Sequence, residues 1–459
     1  MAKSFDKLAY NSLNDFVYGS APYPVTCKNG MVIGGGIIYP ELNITLPPIE
    51  VSASTMPEIK EIYTEIINGA LKRAVELYAP GVVVEFEMLP EMTLVPEWGI
   101  EINNLLRNTM WEYEAKYGLK SALRATPGDV REFKRPPLMR QGEILDNLLR
   151  TIEGSAKGGA DFIAIESTGG KEIHDDALVN ADLTKVIFAL GVMGCRDMKF
   201  LWEKIVDVSR ENGSIPSGDT ACGFANTAFA LAHKNFIPNS FAAVVRVASV
   251  ARTLAAVEAG AVGPDKDCGY EGVYLKAITG TPISMEGKSA ACAHLSSMGN
   301  VAASVADLWS NESVHPVRLL SDIATTVSME QLIYDCRLMN KAKERGYGTT
   351  MRDLLADSDS KYDPQAYVIS PKVVFEISQE LVKAKTPFLR TKAGAKLAVE
   401  AIRKGVDKGE LCIAEREKAW LDIMDEQIAA IPDDEEKFWH EIKGELELDK
   451  FIPSEYGLD

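Results

Sequence analysis

The chain is predicted to fold as an α/β protein of the TIM type: a (β/α)8 barrel with an N-terminal extended arm and a C-terminal helical extension. Three observations point there. Strand-like and helical patterns alternate from residue 56 to residue 345, as expected for βα units laid side by side in a parallel sheet. No Gly-x-Gly-x-x-Gly turn follows the first strand of that series, so an open dinucleotide-binding sheet fits less well. Metal-capable side chains recur in Gly-rich turns at the ends of strand-like runs, where a barrel keeps its mouth.

Residues 1–55 are rich in Pro, Gly and Asn, with short apolar pieces such as Met31–Ile38, and read as an arm wrapped on the body. The barrel region, residues 56–345, opens with apolar residues at helical spacing over Ile59–Tyr78, stopped by Pro80-Gly81. Val82–Met88 then reads as a buried strand, Ile100–Tyr117 as a helix and Ser121–Thr126 as a strand. A helix over Ile144–Ala156 ends at Gly158-Gly159, and Asp161–Glu166 is strand-like again. The alternation continues with a strand at Val186–Leu190, a helix at Phe200–Val208, a strand at Ser214–Asp219 and a helix beginning near Ala225. In the last region, residues 346–459, strand signals fade, and Phe375–Ile442 is largely helical with a break near Pro432. The acidic stretch Ile431–Asp459 reads as a solvated helical face without chemistry.

Composition narrows the function. A chain of 459 residues with 46% hydrophobic side chains can bury a large core. The net charge of −17 repels phosphate backbones, so neither nucleic acid nor an anionic membrane is an expected partner. The local basic run Lys134–Arg140 reads as a solvated loop. Met1–Tyr10 lacks the pattern of a secretory signal. Phe241–Val262 comes nearest to a membrane span, but Arg246, Arg252 and Glu258 interrupt it, and a buried helix is the better reading. Seven widely spaced cysteines (27, 195, 222, 268, 292, 336 and 412) argue against a disulfide framework and for a reducing, cytoplasmic setting.

Three segments carry the chemistry. Phe162–Ile165 is apolar and leads into Glu166-Ser-Thr-Gly-Gly-Lys-Glu, placing a carboxylate at a strand end, where burial is costly unless it is paired or metal-bound. Pairing with a structural Arg or Lys would explain Glu166 equally well. Cys222 sits in a turn just before a predicted helix N-terminus, where free N–H groups favour the thiolate. Cys268 lies beside Gly269 in a charged loop, unlike a cysteine that only fills a core. The long gaps between the three differ from the Cys-x-x-Cys of a structural zinc site and suit one ligand per βα unit. Two thiolates and one carboxylate would leave a fourth tetrahedral position open, as catalytic zinc requires. Asp219 and Glu286, at predicted strand ends, are candidates to relay protons or to hold structural hydrogen bonds. His294, in Cys292-Ala-His294, is either a ligand or a buried histidine bonded to backbone, and His233, His315 and His440 read as solvent-facing.

These segments resemble the zinc subunit of the methanol:corrinoid methyltransferases, methylotrophic enzymes of methanogens and some acetogens. The resemblance rests on Glu166-Ser-x-Gly-Gly-Lys-Glu, Ser217-Gly-Asp-Thr-x-Cys222-x-x-Ala-Asn-Thr and Ala259-Gly-Ala-Val-Gly-Pro-x-Lys-Asp-Cys268-Gly-Tyr-Glu. Lys276-Ala-Ile-Thr-Gly280, Met285-Glu-Gly-Lys288, Cys292-Ala-His294, Met298-Gly-Asn300, Trp309-Ser-Asn-Glu-Ser313 and Asp363-Pro-Gln-Ala-Tyr367 extend it from about residue 20 to the C-terminus. His174, Ala221, Gly223 and Phe224 depart from the family's form. The resemblance implies one zinc ion per chain on Glu166, Cys222 and Cys268. It also implies transfer of the methyl group of methanol to Co(I) of a separate corrinoid protein, giving methyl-Co(III) and water. Glu166 and Asp219 are then the expected catalytic residues, Asp219 as proton source to the leaving oxygen. The corrinoid belongs to the partner, since no Asp-x-His-x-x-Gly cobalamin motif occurs in this chain. A homodimer within a hetero-oligomer is expected. The alternatives are another alcohol- or methoxy-compound:corrinoid methyltransferase on the same scaffold, or a non-catalytic metal-binding scaffold subunit in which Cys292 or His294 completes the metal site.

Overall fold

A computed structural model describes residues 4–46, 49–266, 268–287 and 297–458. Two short antiparallel strands, β1 (Ser20–Thr26) and β2 (Val32–Gly35), form a hairpin near the N-terminus. The remaining seven are β3 (Tyr39–Thr45), β4 (Val82–Glu87), β5 (Ser121–Thr126), β6 (Phe162–Ile165), β7 (Ile215–Asp219), β8 (Ser284–Glu286) and β9 (Leu308–Val314). They make one parallel sheet in the order β7-β6-β5-β4-β3-β9-β8, so the first and last strands of the series lie side by side.

Residues 262–265 span the gap between β7 and β8. Val262 and Gly263 donate backbone hydrogen bonds to Pro216 and Ser217 of β7, at 3.0 and 2.8 Å. On the other side Asp265 N–H donates to Pro282 at 3.1 Å, and Ser284 N–H donates to Asp265 at 3.1 Å. The sheet therefore curls into a barrel with eight staves. The sixth never becomes a regular strand, because Pro264 has no N–H to give and Gly263 sits at φ +83°.

Most of the expected elements form where the patterns place them, including the helices Met56–Glu76, Pro96–Tyr117, Glu143–Lys157 and Cys195–Glu211. Two readings need correction. The first stave, β3, comes from the segment expected to form an arm. Its Glu41 and Asn43 point to the barrel interior and are fully buried, so inward polar residues imitate a solvent-facing pattern. Val186–Leu190 is not a strand. It belongs to the helix Leu183–Phe188 and the π-helical turn Ala189–Gly194, buried on every side. A short continuous apolar run does not distinguish the two states. The deciding signal is the N-cap Asp182, whose carboxylate accepts from Lys185 N–H at 3.1 Å.

The apolar stretch Asn239–Ala259 is long enough and apolar enough to cross a membrane, but its most apolar 18 residues are all buried within the fold. It forms two successive core helices, Asn239–Ala248 and Val250–Ala259, on which the long helix Pro387–Asp407 packs.

The barrel interior carries a polar layer beside an apolar one that includes Val83, Ala122, Phe162 and Leu308. Glu41 of β3, Arg124 of β5, Ser217 of β7 and Ser284 of β8 are all buried and come from alternate staves, as one layer of a barrel interior does. Arg124 Nε donates to Glu41 Oε1 at 2.7 Å, and its Nη1 reaches Ser217 Oγ at 2.7 Å and the Pro264 carbonyl at 2.8 Å. Ser284 Oγ donates to the second Glu41 oxygen. Arg124 thus ties β5 to β3, β7 and the irregular sixth stave, compensating for the ladder bonds that Pro264 withholds. Arg124→Met should destabilise the fold by about 3–5 kcal/mol in urea unfolding, because Glu41 keeps a buried, uncompensated charge. The double variant Glu41→Gln/Arg124→Met should recover a measurable part of that loss.

Candidate metal centre at the barrel mouth

Three successive staves deliver the three expected ligands to one place. Glu166 follows β6, Cys222 opens the π-helical turn Cys222–Asn226 after β7, and Cys268 follows the 262–265 stave. A ligand atom from each lies within 4.8 Å of the other two, a group able to hold a metal ion. Cys268 Sγ donates to Glu166 Oε1 at 3.0 Å. Asn226 Nδ2 lies 3.5 Å from Cys222 Sγ and donates to the Cys268 carbonyl at 2.7 Å, joining the two cysteine turns.

The protonation state of the thiols shows what the donor set lacks. A hydrogen bond with Cys268 pulls the Cys222 thiol down, but burial and the neighbouring Glu166 carboxylate leave it raised, to about 12. Burial pushes the Cys268 thiol well above its ordinary value, with Cys222 and Glu166 adding to the effect. Crowded donors of like charge resist ionisation together. A divalent cation among them reverses that balance, because coordination deprotonates a thiol. Two sulfurs and one carboxylate oxygen are a donor set suited to zinc.

Each turn is held from beneath by buried arginines. Arg252, from the helix Val250–Ala259, donates to the Ser167 carbonyl, to Ser167 Oγ at 2.6 Å and to the Thr220 carbonyl at 3.2 Å. Its guanidinium also stacks 4.4 Å from the Phe224 ring centroid. One side chain therefore fixes the residues flanking Glu166 and Cys222. Arg246, from Asn239–Ala248, does the same for Cys268: it donates to the Gly269 carbonyl at 2.6 Å and to Gln365 Oε1 at 2.9 Å. Glu271 joins the two cysteine turns, accepting from Ala221 N–H at 2.6 Å and Thr253 Oγ1 at 2.7 Å. Gly269 permits this approach, since a Cβ there would lie 2.0 Å from Thr220 Oγ1 and 2.2 Å from Glu271 Oε2. Tyr270 next to it takes φ +61°, which is strained for an aromatic residue and is held by that packing.

The Glu166 turn has a second support. Arg131 is fully buried between Asp129 and Asp197, at 2.7 and 2.9 Å, and Asp129 Oδ2 accepts from Thr168 N–H at 2.9 Å. Asp219 is buried and accepts from Trp202 Nε1 at 2.8 Å, Ser167 Oγ at 2.8 Å, Ser167 N–H at 3.2 Å and Thr220 N–H at 2.8 Å. Burial raises its carboxyl above the ordinary range, and Arg252 at 3.6 Å counters the effect.

The remaining candidates are dispersed. Glu286 is buried at the end of β8. His174 is buried edge-on against Phe224, 4.9 Å between centroids, and burial keeps its imidazole below its ordinary value. His233 and His440 are exposed, whereas His315 is half-buried and paired with Glu65 at 2.6 Å. Cys292 and His294 lie outside the described residues. Sequence reasoning missed the roles of Arg246, Arg252, Glu271 and Lys266. The one available signal was charge in otherwise apolar or Gly-rich runs.

A parallel barrel with a cluster of metal-capable side chains at the strand C-termini belongs to the broad class of barrel enzymes. Comparison with known proteins narrows the class. The family model described as methanol-cobalamin methyltransferase B subunit matches residues 2–457. The chain is 37% identical, over the full length of both proteins, to the methanol–corrinoid protein co-methyltransferase of Methanosarcina barkeri (strain Fusaro / DSM 804). Its fold superposes with a TM-score of 0.95, at 34% identity and full coverage of both chains, on a crystal structure of the methanol:cobalamin methyltransferase complex from Methanosarcina barkeri. The chain belongs to the methanol-cobalamin methyltransferase B subunit family.

The acidic stretch from Ile431 is not the solvated helical face expected of it: its apolar residues Phe438, Trp439, Phe451 and Tyr456 are buried in the fold, and it reaches this site. Tyr456 OH donates to Glu172 Oε1 at 2.9 Å and accepts from Gly170 N–H at 3.1 Å, latching the segment that follows Glu166. Burial pushes the Glu172 carboxyl up from 4.5 to about 7. A carboxyl raised in the folded state stabilises less as pH rises: the penalty is absent below about pH 4.5, builds between 4.5 and 7, and persists above. Glu172→Gln should therefore match the parent in thermal unfolding near pH 4.5. By pH 8 it should exceed the parent by up to about 3 kcal/mol.

Proposed function

We propose that this chain transfers the methyl group of methanol to the Co(I) of a corrinoid carried by a partner protein, using one zinc ion on Glu166, Cys222 and Cys268. The convergence of one carboxylate and two thiols at the mouth of a barrel of this family carries the reading. The named activity of the Methanosarcina barkeri relative supports the substrate, and the complex in the solved structure supports a corrinoid partner.

Hydroxide is a poor leaving group, and a zinc ion held by these donors supplies Lewis acidity to the oxygen of methanol. The residues of the chain organise the rest. Cys222 and Cys268, on turns clamped by Arg252 and Arg246, give fixed anchor points. Glu166, partly exposed at the mouth, is the more labile donor and orients the donor set toward the opening. The barrel walls behind it are buried, so the face on which a corrinoid approaches is the open end. Asp219, expected from its place at a strand end to supply a proton, is given a different role here. Its oxygens already accept four hydrogen bonds and face Arg252, so it positions the turns of Glu166 and Cys222 instead. The leaving oxygen then takes its proton from elsewhere in the mouth.

Metal analysis of the purified protein should find about one zinc per chain. Cys222→Ala and Cys268→Ala should lose it while keeping the fold, and full zinc in both variants would sink the ligand assignment. Glu166→Gln should retain much of the metal yet lose about 10²–10³ in methyl transfer to added Co(I) cobalamin. Methanol should be the preferred donor in that assay. Faster transfer from a methoxyarene would move the substrate to an ether.

A further inference from the structure

Lys266 is the residue of the Cys268 motif for which the proposed reaction has no role. It stands at the end of the irregular sixth stave, two positions before Cys268, and it is buried. Its ammonium lies 3.3 Å from Glu166 Oε1, 3.1 Å from Glu85 Oε1 and 3.8 Å from Glu87 Oε2. The two β4 carboxylates are themselves held. Thr126 Oγ1 donates to Glu85 Oε1 at 2.6 Å, and Asn43 Nδ2 donates to Glu87 Oε2 at 2.9 Å. Lys266 is therefore anchored on the β4 wall and reaches across to the carboxylate that β6 delivers.

From this geometry we infer that Lys266 is a positioning residue of the metal centre: it holds Glu166 by Oε1, so that the carboxylate meets the metal in one orientation. The inference rests on the metal reading given above. Two physical arguments support it. Glu166 follows a strand, has a flexible side chain and is about a quarter exposed, so without a tether it has both room and solvent into which to turn. Oε1 receives both the Lys266 ammonium and, without metal, the Cys268 thiol. When a metal takes the Cys268 proton's place, the thiol donor disappears and the ammonium remains to hold that oxygen. The positive charge also offsets Glu85 and Glu87, which would otherwise add to the negative charge of two thiolates and Glu166 at the mouth. Outer-shell groups of this kind typically change metal affinity or activity by about 10–100-fold when removed.

The test uses the full chain loaded with Zn2+ or Co2+. In Lys266→Met, competition with a chelator should show zinc affinity lowered by roughly ten-fold or more. The cobalt form should keep its thiolate-to-metal charge-transfer bands while its visible ligand-field bands shift, because the sulfurs stay and the carboxylate moves. If Lys266→Met does not fold, Lys266→Met/Glu85→Gln removes the stranded carboxylate charge as well and should show the same spectral shift. Parental zinc affinity together with a parental cobalt spectrum, in whichever of the two variants folds, would overturn the role of Lys266 and leave the metal centre standing. Failure of the parent protein itself to bind either ion would instead overturn the metal reading, and this inference with it.

Discussion

Backbone carbonyls at the mouth of this barrel need hydrogen-bond donors in a place that water does not reach, and two buried arginines supply them. The turns after β6, β7 and the sixth stave carry the three candidate ligands: Cys222 opens a π-helical turn, and Glu166 and Cys268 lie outside the helices and strands. Arg252 binds the carbonyls of Ser167 and Thr220, and Arg246 binds that of Gly269. A guanidinium suits the task because its rigid fork presents several N–H groups in one plane and keeps its charge when buried. A lysine at either position would reach fewer acceptors and hold them less rigidly. Much of the precision of the site follows from these contacts, since a ligand on an unclamped loop would wander by more than metal coordination tolerates.

The charges of those arginines are balanced locally, and the balance reaches further than the site. Asp219 faces Arg252 while ordering Ser167 and Thr220, so one carboxylate serves both the electrostatics and the turn geometry. Arg131 pairs with Asp129 and Asp197, and Arg124 with Glu41. Buried pairs of this kind add little net stability over apolar packing, and their directional bonds are better understood as specifying one arrangement. A barrel packed only with branched apolar side chains would be easier to stabilise. It would offer no donors for an irregular sixth stave or for three ligand turns.

The C-terminal region completes the site from outside. Tyr456 latches the segment after Glu166, Glu455 accepts from Arg140 N–H at 2.6 Å, and Arg196 donates to the Tyr456 carbonyl at 3.2 Å. The tail therefore braces the segment after Glu166 through contacts separate from those of Arg252. The Glu166 turn is held by both, while Glu166 itself remains partly exposed. A rigid turn carrying one accessible side chain is what a donor group exchanging contacts during a reaction requires.

The sequence alone determined the βα alternation, the order of most elements and the three candidate ligands. Those features are local: apolar periodicity, Gly and Pro punctuation, and a metal-capable residue where a strand ends. It did not reveal β3, because Glu41 and Asn43 face a polar interior and look like surface positions. It misassigned Val186–Leu190, where an apolar run buried on all sides carries no period. It read Arg246 and Arg252 only as interruptions of an apolar helix, and it could not assign Lys266 or Asp219 their contacts. What those residues do depends on partners distant along the chain, such as Ser167 for Arg252, Gln365 for Arg246 and Glu85 and Glu166 for Lys266. Only the closure of the barrel brings them together, because the convergence of strand ends is a property of the closed sheet and not of any segment within it.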